Sequence, residues 1–220
     1  MSKLAKLSPE DEKRLQAATV PPQELCCIIP ARGGSKRIKH KNKRLLLGRP
    51  LFDYVLKAAV DSKLFSLIIV TSDDEDILEH AYKYFSHGNV QPNKRPKGLC
   101  GDEVPIKNVI RWMIHSYAIP PIPICLLQPT NPLVTAEQIK EAYEIFKTTK
   151  HDFLLEMWKG GDMGFHFFNR DAFFKHYDDL WDMSKTDWIP YEREGIDIDE
   201  ETDWLEAERL LNEKSINNGR

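Results

Sequence analysis

Seven basic side chains crowd one short stretch of this chain: Arg32, Lys36, Arg37, Lys39, Lys41, Lys43 and Arg44, with no acidic residue until Asp53. The stretch follows an apolar, β-prone run, Leu25 to Ile29, that stops at Pro30 and opens into the adjacent glycines Gly33 and Gly34. Glycines let a backbone turn sharply and bring its N–H groups against an anion, while lysine and arginine heads add charge where a polyphosphate would sit. A solvated basic face and a nucleic-acid patch are the competing readings. The net charge of −3 is the wrong background for a nucleic-acid binder, and placement directly after a strand favours a phosphate loop. The loop has neither the Walker nor the dinucleotide-binding glycine spacing.

A second candidate lies far along the chain. Asp197 and Asp199 alternate with Ile196 and Ile198, so an extended segment turns both carboxylates to one side and both isoleucines to the core. Carboxylates sharing a face repel unless a cation lies between them, and hard oxygen ligands suit Mg²⁺. A polar edge with its acids in water is the alternative. Asp73 and Asp74 precede a helical pattern and are read as helix-capping acids, outside the site. His166 sits in an aromatic run, Phe165 to Phe168, and is read as a core histidine.

The elements that must position these groups alternate in type. Compact apolar runs at Leu25–Ile29, Leu67–Thr71 and Ile124–Leu127 predict strands buried on both faces. Helices are predicted over Leu51–Ser62, Glu75–Phe85, Ile106–Tyr117, Ala136–Thr148, Arg170–His176 and Glu201–Asn212. Strands alternating with helices imply right-handed crossovers and a doubly wound, mostly parallel α/β sheet. Ligands on such sheets bind beyond the carboxyl ends of the strands, so Arg32 to Asn42, Ser72 to Asp74 and Gln128 to Pro132 should converge on one crevice. The chain of 220 residues suits one such domain, read as residues 25–214 between an N-terminal appendage, 1–24, and a short tail, 215–220. In the appendage, Ser8-Pro9-Glu10-Asp11 starts a short helix that Pro21-Pro22 ends. No apolar run approaches the roughly 20 residues that span a bilayer, and the four cysteines have no C-x-x-C spacing. Reduced thiols in a cytoplasmic protein are expected.

The stretch Ala31-Arg-Gly-Gly-Ser-Lys36, with Lys41-Asn42 a few residues on, resembles the N-terminal signature of the acylneuraminate cytidylyltransferases. Three further segments follow in that family's order. Ile69 to Ile77 is similar to its second strand and acidic turn, Cys125 to Leu133 (CLLQPTNPL) to its LLQPTSPL, and Ile196 to Glu208 to its IDIDT-x-EDW-x-x-AE. The resemblance runs from about Leu25 to Leu211. It implies a Rossmann-like nucleotidyltransferase fold and an enzyme that transfers CMP from CTP to the anomeric hydroxyl of a 2-keto sugar acid, a sialic, pseudaminic or related nonulosonic acid, with release of pyrophosphate. By the resemblance, Arg32, Gly33, Gly34, Ser35, Lys36, Lys41 and Asn42 hold the nucleotide, and Arg95 and Asp102 of the Arg95-Pro96-x-x-Leu99-x-x-Asp102 segment lie against it. Arg32, Lys36, Asp197 and Asp199 carry the catalysis, the two aspartates binding Mg²⁺. Gln128 stands where the family's glutamine approaches the sugar acid, and Phe167 falls at a tyrosine position of its aromatic strand. The Asp162-x-Gly164 start of that strand leans toward the pseudaminic-acid branch.

Two departures stand out. Val134 replaces the arginine that usually follows Pro-Leu. Only His151 to Asp162 bridges the helix after QPTNPL and the aromatic strand, where the family inserts a long segment forming the sugar-side wall and the dimer arm. Lys159 is the one lysine left in that bridge to meet an acceptor carboxylate. The expectation is therefore a homodimer weaker than the family's, or a monomer, with Trp158, Trp181 and Trp188 as other interface candidates, and neither nucleic acid nor membrane is an expected partner. A smaller acceptor, or a nucleotide-binding protein without turnover, are the rival functional readings.

Overall fold

A computed structural model describes residues 24–84, 88–157, 164–180 and 182–218, with side chains to 215. The predicted appendage apart from Glu24, and Trp158, Lys159, Asp162 and Trp181, lie outside these residues. The first strand, β1 (Cys26–Pro30), leads through the basic loop to a two-stranded hairpin, β2 (Leu45–Leu46) and β3 (Arg49–Pro50), and then to helix α1 (Leu51–Ser62). Next come β4 (Leu67–Ser72), α2 (Glu75–Tyr82), β5 (Val90–Lys94), α3 (Ile106–Ser116), β6 (Pro123–Leu127) and α4 (Ala136–Thr149). The chain closes with β7 (Phe153–Met157), β8 (Phe165–Asn169), α5 (Arg170–Lys175), β9 (Trp188–Glu192) and α6 (Glu201–Asn218).

Seven strands form one sheet in the order β5-β4-β1-β6-β8-β7-β9. The half from β5 to β6 is parallel throughout, β8 runs antiparallel to both neighbours, and β9 pairs parallel to β7. The predicted mostly parallel, doubly wound class is the observed one. Successive β1 residues divide between two cores, as strands buried on both faces must. Cys27 and Ile29 pack with α1, α2 and α4 on one face, and Cys26 and Ile28 with α3 and α5 on the other. All four cysteines are free thiols, three of them buried.

Local chemistry explains the helix starts. Thr135 and Gln138 form a reciprocal capping box at α4. The Asp74 carboxylate accepts the N–H groups of Asp76 and Ile77 at α2. Four strands of the sheet escape a reading based on compact apolar runs, β8 being named only through the resemblance. β5 and β9 each carry a proline, Pro92 and Pro190, and both are sheet edges, where a missing N–H costs no ladder bond. β7 interrupts its apolar run with Glu156. The predicted bridge from His151 to Asp162 is thus not a plain connection, because its first half is an interior strand. The final helix also runs six residues beyond Asn212, absorbing most of the predicted tail.

Candidate active site

The order of strand addition switches sides at β1: the chain builds outward to β4 and β5 on one side and then returns to add β6 on the other, all in parallel. Doubly wound sheets open a crevice at this point, beyond the carboxyl ends of the strands. A cavity of about 340 Å³ lies here. Arg32, Gly34, Ser35, Lys41 and Asn42 come from the loop after β1, and Gln128, Pro129 and Thr130 from the turn after β6. Asp197 and Asp199 close one wall, while Leu99, Val104, Ile106 and Val109 give an apolar side. Four segments far apart in sequence therefore meet in one place.

The basic loop is pinned from inside. Asn42 is buried and donates its amide to the Arg32 carbonyl at 2.8 Å. Lys41 donates to the Ile198 carbonyl at 2.5 Å and to Asp199 Oδ1 at 3.0 Å, so the loop is tied to the segment that carries the two aspartates. Arg37 meets the other oxygen of Asp199 at 2.7 Å. Partial burial pushes the Asp199 carboxyl up, but the hydrogen bond and charge of Lys41, with Arg37, outweigh it and hold the group below its usual range. Ile198 is buried with Trp204 and Ala207 of α6, and Ile196 packs on the same cluster. The alternation expected from sequence thus holds: isoleucines inward, carboxylates on the crevice.

The glycine pair divides its work. Gly33 gives its N–H to Asp73 Oδ1 at 2.8 Å, and a Cβ there would lie 2.7 Å from the Asp74 Cβ, closer than carbon atoms tolerate. Gly33 therefore makes room for the turn after β4, and in the free chain its N–H is engaged by Asp73. Gly34 faces open space on the crevice. Arg95, expected against the nucleotide, is a buried residue of the crevice wall whose guanidinium donates to the Thr71 carbonyl at 2.9 Å. Its backbone N–H donates to the Ser72 carbonyl at 2.7 Å. Burial lowers its pKa. Asp102 pairs with Arg32 and, at 3.0 Å, with Lys36.

Behind the turn after β6 lies a buried network. Glu156, fully buried on β7, forms an ion pair with Arg193, and accepts the amide of fully buried Asn131 at 3.0 Å and the Phe165 N–H. Burial, partly offset by Arg193 and Asn131, pushes the Glu156 carboxyl up to about 6. The network braces the crevice: Gln128 donates its N–H to the Gly164 carbonyl at 2.9 Å, and Ile198 donates its N–H to the Thr130 carbonyl at 2.9 Å.

Residues 26–196 match the family model described as cytidylyltransferase. The chain belongs to the cytidylyltransferase family. It is 39% identical over 132 residues to a pseudaminic acid cytidylyltransferase of Campylobacter jejuni, a match covering 58% of this chain and 55% of that protein. It is 34% identical over 128 residues to a CMP-N,N'-diacetyllegionaminic acid synthase of Legionella pneumophila, covering 57% and 54%. The chain spans about half the length of the curated relatives it matches. Its fold is similar to that of CMP:2-keto-3-deoxy-manno-octonic acid synthetase complexed with CTP, with a TM-score of 0.67 at 11% identity over 87% of this chain and 99% of that one.

Within this member of the cytidylyltransferase family, the crevice gathers Arg32, Gly34, Ser35, Lys41, Asn42, Arg95, Asp102, Gln128, Asp197 and Asp199. Lys36 stands just outside the wall, its side chain 74% exposed. Phe167 does not join them. It is fully buried in the core against Tyr143 and Phe146 of α4, ring centroids 5.6 and 5.9 Å away, which corrects its reading as a substrate contact. Strand alternation carries that side chain into the sheet's packed face. His166 is buried as expected, and burial lowers its pKa to about 4. The sequence reading missed Asp73, set aside with the helix cap beside it, and the trio Asn131, Glu156 and Arg193. One signal for the trio was visible: a glutamate inside the apolar run FLLEM must find a partner if the run is buried.

Proposed function

We propose that this chain transfers CMP from CTP to the anomeric hydroxyl of a nonulosonic acid and releases pyrophosphate. One observation carries the reading: a single crevice joins a basic, glycine-containing loop to a pair of carboxylates held between core isoleucines. Arg32 and Lys41, with Lys36 at the rim and the open backbone at Gly34, take the phosphate chain and answer the charge that builds on the leaving pyrophosphate. The apolar side from Leu99 to Val109 receives the nucleoside. Gln128, held by the Gly164 carbonyl, faces the acceptor side.

The donor set fits Mg²⁺. Among the described residues no group of three or more His, Cys, Asp or Glu side chains could hold an ion unaided. Mg²⁺ is commonly bound by one or two carboxylates together with substrate phosphates and water, and Asp197 and Asp199 supply that number. When bound, the ion polarises a phosphoryl oxygen and acidifies a coordinated hydroxyl. The protein's own share is to hold Asp199 ionised, through Lys41 and Arg37, and to fix both reactants in line, an effect worth several kcal/mol.

The test is pyrophosphate release from CTP and Mg²⁺ with a panel of pseudaminic, legionaminic and N-acetylneuraminic acids and smaller 2-keto acids. Release that depends on a nonulosonic acid supports the reading. Release with only a small keto acid moves the acceptor, and CTP binding without release under every condition leaves a nucleotide-binding protein.

A further inference from the structure

The loop's cations are already answered by carboxylates of the same chain. Arg37 and Lys41 meet Asp199, Lys43 meets Asp74 and Asp76, and Arg44 meets Glu201. Most of these acids also serve elsewhere. Asp74 caps α2, Asp199 is a candidate metal ligand, and Glu201 lies in the first turn of α6. Asp102 has no second engagement of that kind. It caps no helix, and its two oxygens are divided between Arg32 and Lys36, the two-point clasp a phosphate group would make on the same cations. Those two cations hold its carboxyl below the usual range, the Lys36 hydrogen bond contributing most.

The loop that presents Asp102 is fixed at its root and bare at its tip. Buried Arg95 anchors the root through Thr71 and Ser72. The Cys100 thiol donates back to the Pro96 carbonyl at 3.1 Å. Beyond it Gly101 and Asp102 are exposed and lie on the crevice. A carboxylate tethered in this way has a high effective concentration at its cations, set by the short loop.

We propose that Asp102 is an internal stand-in for phosphate: it occupies Arg32 and Lys36 in the free chain, yields them to the nucleotide, and competes with pyrophosphate for them during release. The proposal rests on the phosphate-loop reading and adds a sign to it. A residue that merely ordered the loop would strengthen anion binding, whereas a competitor weakens it.

The experiment measures pyrophosphate binding by calorimetry, with and without Mg²⁺, for the full chain and three variants. Asp102→Asn should bind pyrophosphate roughly threefold or more tightly, the scale expected from losing exposed pairs that compete for the same cations. Asp102→Glu should stay near wild type. Glu103→Gln removes the same charge one residue along, from an exposed side chain outside the clasp, and should change the affinity less than Asp102→Asn. Unchanged or weaker binding by Asp102→Asn overturns the proposal, as does an equal gain in Glu103→Gln, which would mark a general field effect. If the wild type binds neither pyrophosphate nor CTP, the phosphate-loop reading itself falls, and that result is distinct because it precedes any variant.

Discussion

Gly164→Ala is the sharpest test of the buried brace. The backbone at Gly164 has no left-handed φ, so the demand for glycine is one of space. A Cβ would penetrate Asn131 Nδ2 and Glu156 Oε2 and lie 2.7 Å from Asn131 Cγ. Neither partner has room to retreat. Both are fully buried, and Glu156 is held by Arg193 and the Phe165 N–H. Overpacking of this kind costs about 1–3 kcal/mol, and losing a hydrogen bond to a charged group adds about 1.5–3 kcal/mol. A loss of about 2.5–6 kcal/mol follows, or roughly 5–24 °C in Tm for a chain of this size. Calorimetry, with urea melts for the slope, gives the number. Because Gly164 also receives the Gln128 N–H, and Thr130 receives that of Ile198, the Mg²⁺ concentration for half-maximal turnover should rise in the folded fraction. A Tm within 2 °C of wild type, about 0.5–1 kcal/mol, would refute the steric reasoning. A full Tm loss with an unchanged Mg²⁺ requirement would show that the brace stabilises without positioning.

The remaining predictions concern nucleotide, metal and acid. CTP with Mg²⁺ at about 100 times its Kd should stabilise by about 2.7 kcal/mol, roughly 5–10 °C in a thermal melt; equal shifts with ATP, GTP and UTP would remove the cytidine preference. Asp197→Asn and Asp199→Asn should each lower turnover by orders of magnitude while the circular dichroism spectrum stays native, since a lost charge weakens metal coordination more than packing; near-normal rates for both at limiting Mg²⁺ would place the metal elsewhere. Glu156 keeps its proton longer in the folded state, to about pH 6 against an ordinary 4.5, so the folded chain binds more protons in that window and stability falls as pH rises through it. Relative to Glu156→Gln, the wild type should lose about 2 kcal/mol between pH 4.5 and 7; parallel denaturation curves for the two proteins across that range would contradict a raised carboxyl.

What was legible in the sequence was written in short-range pattern. Apolar runs marked β1, β4 and β6, the α-helices of the described residues start where they were expected, and the basic loop and the Ile-Asp alternation named most of the crevice wall. Such signals survive because backbone periodicity and capping are decided within a few residues. Edge strands were hidden by Pro92 and Pro190, which are tolerated only because no neighbour claims their N–H on the open side, a fact of sheet order. Phe167 was misplaced for a related reason: an aromatic residue's type does not say which face of the sheet it enters, and the pairing of β8 with β6 and β7 turned this one against α4.

Partnership at long range was decided by the tertiary structure alone. Asp102 is 70 residues from Arg32, Asp199 is 158 from Lys41, and Asn131 is 25 from Glu156. Gly33 meets Asp73 and Asp74 of the next βα unit, which engage its N–H in the free chain and fill the space of its absent Cβ. The sequence by itself determined which chemical groups the chain brings to the carboxyl ends of its strands. Which of those groups remain for a ligand, and which are spent on one another, was settled by folding, because a charge buried or half-buried near its opposite finds that partner whatever their separation along the chain.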